Sequence, residues 1–188
     1  MMLARHTVWT VLSLAILSLA LGGMSCSSGS SAPATEGERV DLSNAASSAT
    51  DGFRSDPKAS KFFDTAYGWA IFPKMSKGAV GIGVSQGQGE VYQGRQLVGY
   101  VKATSVTVGA QLGGQTFSEI IFFQNQWSFQ KFTNNQFAGQ ASATAVAGKK
   151  GSGQLADYSD GVAIFTRNHD GLIAAADFGG QQFEYTPR

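Results

Sequence analysis

Cysteine is almost missing. Cys26 stands alone in 188 residues, so no internal disulfide can staple the fold. Histidine is nearly as scarce, with only His6 and His169. The usual nitrogen and sulfur ligands for zinc are therefore absent as a set, and no EF-hand spacing of carboxylates replaces them. Charge of either sign is thin, at 14% of residues. Beyond residue 25, thirteen basic side chains balance thirteen acidic ones, because Arg5 is the one charged residue before it. Such a balance does not argue for a nucleic-acid surface, so nucleic-acid binding is not expected, and any anionic partner would have to meet a local patch. Long apolar runs are also missing, apart from Val8–Leu21. That run is short for a membrane span and suits the h-region of a signal peptide.

Small residues follow the run, and then comes Cys26. The arrangement is similar to a bacterial lipoprotein signal, in which residues 1–25 are removed and Cys26 receives diacylglycerol and further acyl chains. Ser25 fits that pattern. Gly23 stands where such signals carry a large aliphatic residue, and Leu21 lies two positions upstream. A secretory signal cut nearby and a retained anchor are the other readings. Residues 26–40, with SSGSSAP at Ser27–Pro33, have the composition of a flexible tether. Ser27 behind a lipidated cysteine points to the outer membrane, with the domain facing the periplasm or the cell surface. Anchoring through N-terminal acyl chains would be firm, since each buried methylene contributes roughly 0.8 kcal/mol.

From Asp41 to Arg188 the chain is expected to form one domain. Leu42, Ala45, Ala46, Ala49 and Phe53 recur at helical spacing, with Asp41 as a cap. A second helix is expected from Asp56, with Pro57 in its first turn and Gly68 closing it. The period then falls to two. Strands are expected at Trp69–Phe72, Ala79–Ser85, Glu90–Gln93, Gln96–Ala103 and Val106–Leu112, with KMSKG as a turn and Gly94-Arg95 as another. Ser118–Phe123, SEIIFF, is nearly continuous in apolar residues, as a strand covered on both faces would be. Asn125 caps a short helix whose Trp127, Phe129 and Phe132 form a partial apolar stripe. Gln140–Ala147, Val162–Thr166 and Leu172–Phe178 complete the strands. The fold class is α+β: a β-rich single domain of strongly twisted antiparallel sheets, barrel-like or sandwiched, with N-terminal helices and one short mid-chain helix.

The glycines invite a nucleotide reading, which fails. Gly81-Ile82-Gly83 supplies two glycines of a dinucleotide fingerprint, but alternation runs through them and no helix follows. Gly148-Lys149 is followed by Lys150 where a P-loop needs Ser or Thr. The plainer role is close packing and twist in curved strands. No GxSxG elbow exists, and His169 with Asp170 falls in a turn. Asp157, Asp160 and Asp170 read as solvated turn carboxylates. Glu90 and Glu119 could form a glycosidase-like pair only by sharing a cavity, and Glu119 is the odd residue of an apolar strand. No enzyme activity, metal or cofactor is expected. As delimited from the sequence, the expected strands are short and their outward faces small or polar, so an outer-membrane barrel is not expected.

Four blocks carry a family resemblance: YGWAIFPKMSKGAVGIGVSQGQGEVY, VTVGAQLGGQTFSEIIFF, FAGQASATAVAG and DGVAIFTRNHDGLIAAADFGG. In this order they resemble the SYLF domain family, described as lipid-binding or actin-binding. The likeness runs from about Asp41 to Phe183. It is carried by Gly68, Lys77, Gly78 and Gly81 in the first block, where Gly83 is a further structural glycine. Gly109, Gly113 and Gly114 carry it in the second, and Gly171, Leu172, Ala174 and Gly179 in the last, where Thr166 replaces a serine. The resemblance implies a compact non-catalytic domain. Eukaryotic members bind phosphoinositides or actin, with lipid contact through a basic amphipathic N-terminal helix. Bacterial members look like secreted or lipid-anchored envelope proteins. Here the first helical region is rich in alanine, serine and aspartate, so only Arg54, Lys58 and Lys61 match that basic helix, with Lys74 and Lys77 possible helpers. Anionic phospholipid headgroups are the expected partner, an envelope protein is the alternative, and actin is not expected.

Overall fold

The structure, a computed structural model, describes residues 30–80, 82–108, 115–137, 157–168, 171–174 and 181–188. Cys26, Gly81, Gly109, Gly113, Gly114 and Gly179 lie outside the described residues, as do His169, Asp170 and the expected strand at 140–147.

The chain forms an α+β fold built on one antiparallel sheet. Two helices, α1 (Glu36–Arg54) and α2 (Pro57–Thr65), precede β1 (Gly68–Val80), β2 (Ile82–Gln93), β3 (Gln96–Val108) and β4 (Gln115–Phe123). Helix α3 (Gln126–Thr133) follows, then β5 (Val162–Asn168), β6 (Gly171–Ala174) and β7 (Gln181–Pro187). The seven strands lie in the order β6-β5-β4-β1-β2-β3-β7.

Alternation divides the core. Ile71, Ile120, Phe122, Ala163 and Phe165 point to one face, where Ala46 and Phe53 of α1 and Ala59, Phe62 and Phe63 of α2 cover them. Phe72, Met75, Val101, Ile121, Phe123 and Phe183 point to the other, against Phe129 and Phe132 of α3. SEIIFF is thus covered on both faces, and Ile120, Ile121, Phe122 and Phe123 are fully buried. Rings dominate both layers: Phe62 stacks on Phe122 at 5.4 Å, and Phe123 meets Phe132 at 4.8 Å.

The sheet is strongly rolled. Phe72 on β1 and Phe183 on β7 lie 5.9 Å apart between ring centroids. Their strands are three steps apart in the sheet, which would separate them by about 14 Å if it were flat. Gly89 on β2 helps to permit the roll. A Cβ there would run into the Ile71 carbonyl and stand 2.9 Å from Phe72 Cδ1. The large β1 side chain folds into that space instead.

Several elements depart from the sequence expectation. Helix α1 begins at Glu36 rather than Asp41, because Thr35 and Glu38 make a reciprocal capping box. Residues 36–40 of the expected tether 26–40 lie in this helix, and Ser31 is packed against β7. Ser31 is buried, and its hydroxyl donates to the Glu184 carbonyl at 2.6 Å. KMSKG is not a turn: β1 continues through Pro73, with a register shift between Ile71 and Lys74 that absorbs the residue lacking an N–H. Helix α2 ends at Thr65, so Gly68 does not close it but opens β1. Trp127 is 61% exposed and not part of the α3 stripe. Two positions before Phe129, it turns to the opposite side of the helix, while Phe129 and Phe132 share the inner side.

Candidate functional site

The cationic residues singled out in the sequence divide into two groups. Arg54 ends α1, and Lys58 and Lys61 sit on α2 across the short Ser55-Asp56 link. All three are exposed. Local chemistry explains the corner: Asp56 Oδ1 accepts the Lys58 N–H at 2.9 Å, Pro57 supplies the first helical position, and α2 starts at once. The inner side of α2 then presents Ala59, Phe62 and Phe63 to the sheet and leaves the lysines outside.

Aromatic rings hold two of these cations at the surface. The Arg54 guanidinium lies 4.0 Å from the Phe63 ring centroid and 5.8 Å from that of Trp69. The Lys61 ammonium lies 5.0 Å from the Phe62 centroid. Each contact is worth roughly 0.5–1 kcal/mol at an exposed position. The rings belong to the core, so the charges are fixed outward from it. Asp51 and Asp64 are exposed on the same two helices, and they moderate the local field.

Lys74 and Lys77 are placed elsewhere. Both are in β1, where Lys74 pairs with Gln88 and Lys77 with Ser85 and Gln115. Lys74 is exposed. They are strand residues beyond the bulge, not a turn next to α2, so they do not extend the α1–α2 corner in sequence or in element.

The glycine block is a hairpin. Gly78 pairs with Val84, Ala79 with Gly83, and Val80 with Ile82. Strand continues into strand with no helix between, which is not the arrangement that cradles a pyrophosphate. Gly68 has a different duty. A Cβ on it would lie 2.6 Å from the Tyr92 carbonyl oxygen and 2.7 Å from Phe129 Cε2, so it admits α3 against the start of β1. Gly171 pairs with Asn168 where β5 and β6 meet.

The two buried carboxylates do not face each other. Glu90 pairs with Ile71 and looks toward α1 and α2; Glu119 pairs with Phe72 and looks toward the α3 side. The sheet separates them, which removes the glycosidase pairing. Glu119 is fully buried, and burial pushes its carboxyl up to about 8 against the opposing hydrogen bond from Gln181. Burial also raises Glu90, opposed by the Tyr92 hydroxyl and the charge of Arg188. Among the described residues, no cluster of three or more His, Cys, Asp or Glu side chains is placed to hold a metal ion. No helix among them is long and apolar enough to cross a membrane.

Two surface features escape the sequence reading. Trp127 is exposed, with the Lys131 ammonium 3.7 Å from its ring centroid. The four-residue spacing is the one signal that might have revealed the pair. Arg167 on β5 donates to the Gly52 carbonyl in the last turn of α1, tying that corner to the sheet. Nothing in a strand sequence announces such a partner 115 residues away.

No family model matches the chain. It is similar to a protein of Aeromonas veronii named "Beta cell expansion factor A", at 28% identity over 134 residues. The aligned part is 70% of this chain and 50% of that protein, so the chain spans about half the length of the curated relative it matches.

Proposed function

We propose that the protein is a non-catalytic envelope lipoprotein, anchored through Cys26, whose domain makes weak contact with anionic phospholipid headgroups. The observation that carries this reading is the α1–α2 corner. Arg54, Lys58 and Lys61 are all exposed there, and core rings lie beneath two of the three. Such cations gain roughly 1 kcal/mol each near an anionic surface. Asp51 and Asp64 lie close by in the sequence, which keeps the attraction weak and sensitive to salt. Weak contact is enough for a tethered domain, because a short anchor keeps its effective concentration at the bilayer high. The test is co-sedimentation of the protein lacking residues 1–26 with vesicles. More protein should pellet with anionic than with neutral vesicles at low salt, and equal pelleting removes the proposal.

A second reading has its own observation. Trp127, 61% exposed beside Lys131, is the kind of rigid aromatic that anchors protein interfaces. A structural or protein-interaction domain of the envelope would use it, with the acyl anchor alone meeting the membrane. This reading expects no preference among vesicles.

A further inference from the structure

The first half of α1 does not rest on the sheet. From Glu36 to Ala45 every residue except Leu42 is exposed, and the buried contacts of the helix come later, at Ala46 and Phe53. Beneath the lifted part lies a cavity of about 360 Å³. Its helical wall includes Arg39 and Val40; its sheet side includes Glu90, Leu97 and Tyr100; Arg188 also lines it. That volume is at the small end of ligand sites.

The lining has unsatisfied chemistry. Glu90 is fully buried, its Oε2 accepts from the Tyr92 hydroxyl at 2.5 Å, and its Oε1 has no hydrogen-bond partner. A buried carboxylate oxygen in that condition calls for a donor. The Arg39 side chain is 46% exposed and pairs with Glu36 at 3.5 Å, an ion pair that an incoming anion can share. The backbone N–H of Arg188 donates to the Val98 carbonyl at 3.0 Å, and its charge acts on Glu90. Val40, 49% exposed, and Leu97 add apolar surface.

A simple anion entering here would meet a buried carboxylate. A simple cation would meet two arginines in the same lining. A small molecule carrying both charges satisfies both ends. We propose that the cavity binds a small zwitterion with an apolar side chain, of amino-acid or dipeptide size. Its ammonium donates to Glu90 Oε1, its carboxylate meets Arg39 and Arg188, and its apolar part lies against Val40 and Leu97. This site is separate from the lipid-facing corner, and neither depends on the other.

Titration calorimetry of the purified full-length protein tests it, with L-leucine and leucyl-leucine as probes. The half-molecules 3-methylbutylamine and 4-methylpentanoate serve as controls. At least one zwitterion should bind saturably, with each half at least tenfold weaker. Glu90→Gln should weaken binding at least tenfold. Val40→Trp changes an exposed helix position, fills the cavity and should abolish binding. Should Glu90→Gln melt before the titration, Val40→Trp decides. No saturable heat from either zwitterion, halves that bind as tightly as the whole, or unchanged affinity in the folded variants overturns the proposal.

Discussion

The side-chain amide of Gln181, on β7, donates to Glu119 Oε1, on β4, at 3.0 Å, and both residues are buried. The two strands are four steps apart in the sheet, about 19 Å if it were flat. The hydrogen bond therefore crosses the interior of a rolled sheet, as the Phe72–Phe183 contact does. It leaves Glu119 Oε2 and Gln181 Oε1 without partners among the described residues, so the pair is a costly feature of the interior.

That cost depends on pH. The folded protein holds the Glu119 proton up to about 8, whereas the unfolded chain releases it near the ordinary value of 4.5. In between, the native state binds more protons, so stability falls as pH rises through this window. Glu119→Gln should flatten the slope and raise stability at pH 8 by on the order of a few kcal/mol. Melting temperatures across the window for both proteins check this; parallel curves would contradict it.

Phe62 pins α2 to the sheet. Its ring lies 5.4 Å from Phe122, 5.0 Å from Tyr158 and 5.1 Å from Phe165. Phe62→Ala should cost about 3–5 kcal/mol in urea unfolding. A loss below about 1 kcal/mol would mean that α2 is not part of the cooperative core.

Gly89→Ala should destabilise although it adds only a methyl group. The new Cβ meets backbone at the Ile71 carbonyl, which cannot step aside as a flexible side chain would. A loss of about 1–3 kcal/mol is expected from overpacking, read from the shift in the unfolding midpoint. Gly94→Ala is not the matching control, because Gly94 sits at φ 60 in the β2–β3 turn.

Trp127→Ala should leave stability within about 0.5 kcal/mol, since the ring is mostly in solvent. Under the second functional reading, the same change should abolish retention of an envelope protein in a membrane pull-down. Under the lipid reading, vesicle binding should survive it.

The sequence made the α+β class legible through its change of period. Two helical spacings precede Gly68, and alternation follows. Local chemistry placed α2 through Asp56 and Pro57, and α3 through Asn125. What stayed hidden was non-local. Pro73 looked like a strand end because a proline removes a ladder bond, yet a bulge accommodates it inside β1. The start of α1 was displaced because Asp41 resembles a cap, while the Thr35–Glu38 box lies upstream in residues whose composition suggested a tether. Glu119 is recognisable in the sequence as the odd residue of an apolar strand, and Glu90 only as a carboxylate that could share a cavity with it. Only the register shows that they occupy opposite faces. Of the proposed lipid residues, Arg54, Lys58 and Lys61 fall together because one helix link joins them, whereas Lys74 and Lys77 were grouped with them on the strength of a turn that is a strand.

The most direct test of the lipid reading is charge reversal at the α1–α2 corner. The double variant Lys58→Glu with Lys61→Glu should lose at least tenfold in affinity for anionic vesicles at low salt, about 1.4 kcal/mol or more. Lys131→Glu, on the helix across the sheet, should bind as the parent does. If the double variant pellets with anionic vesicles as well as the parent, the corner is not the site of membrane contact.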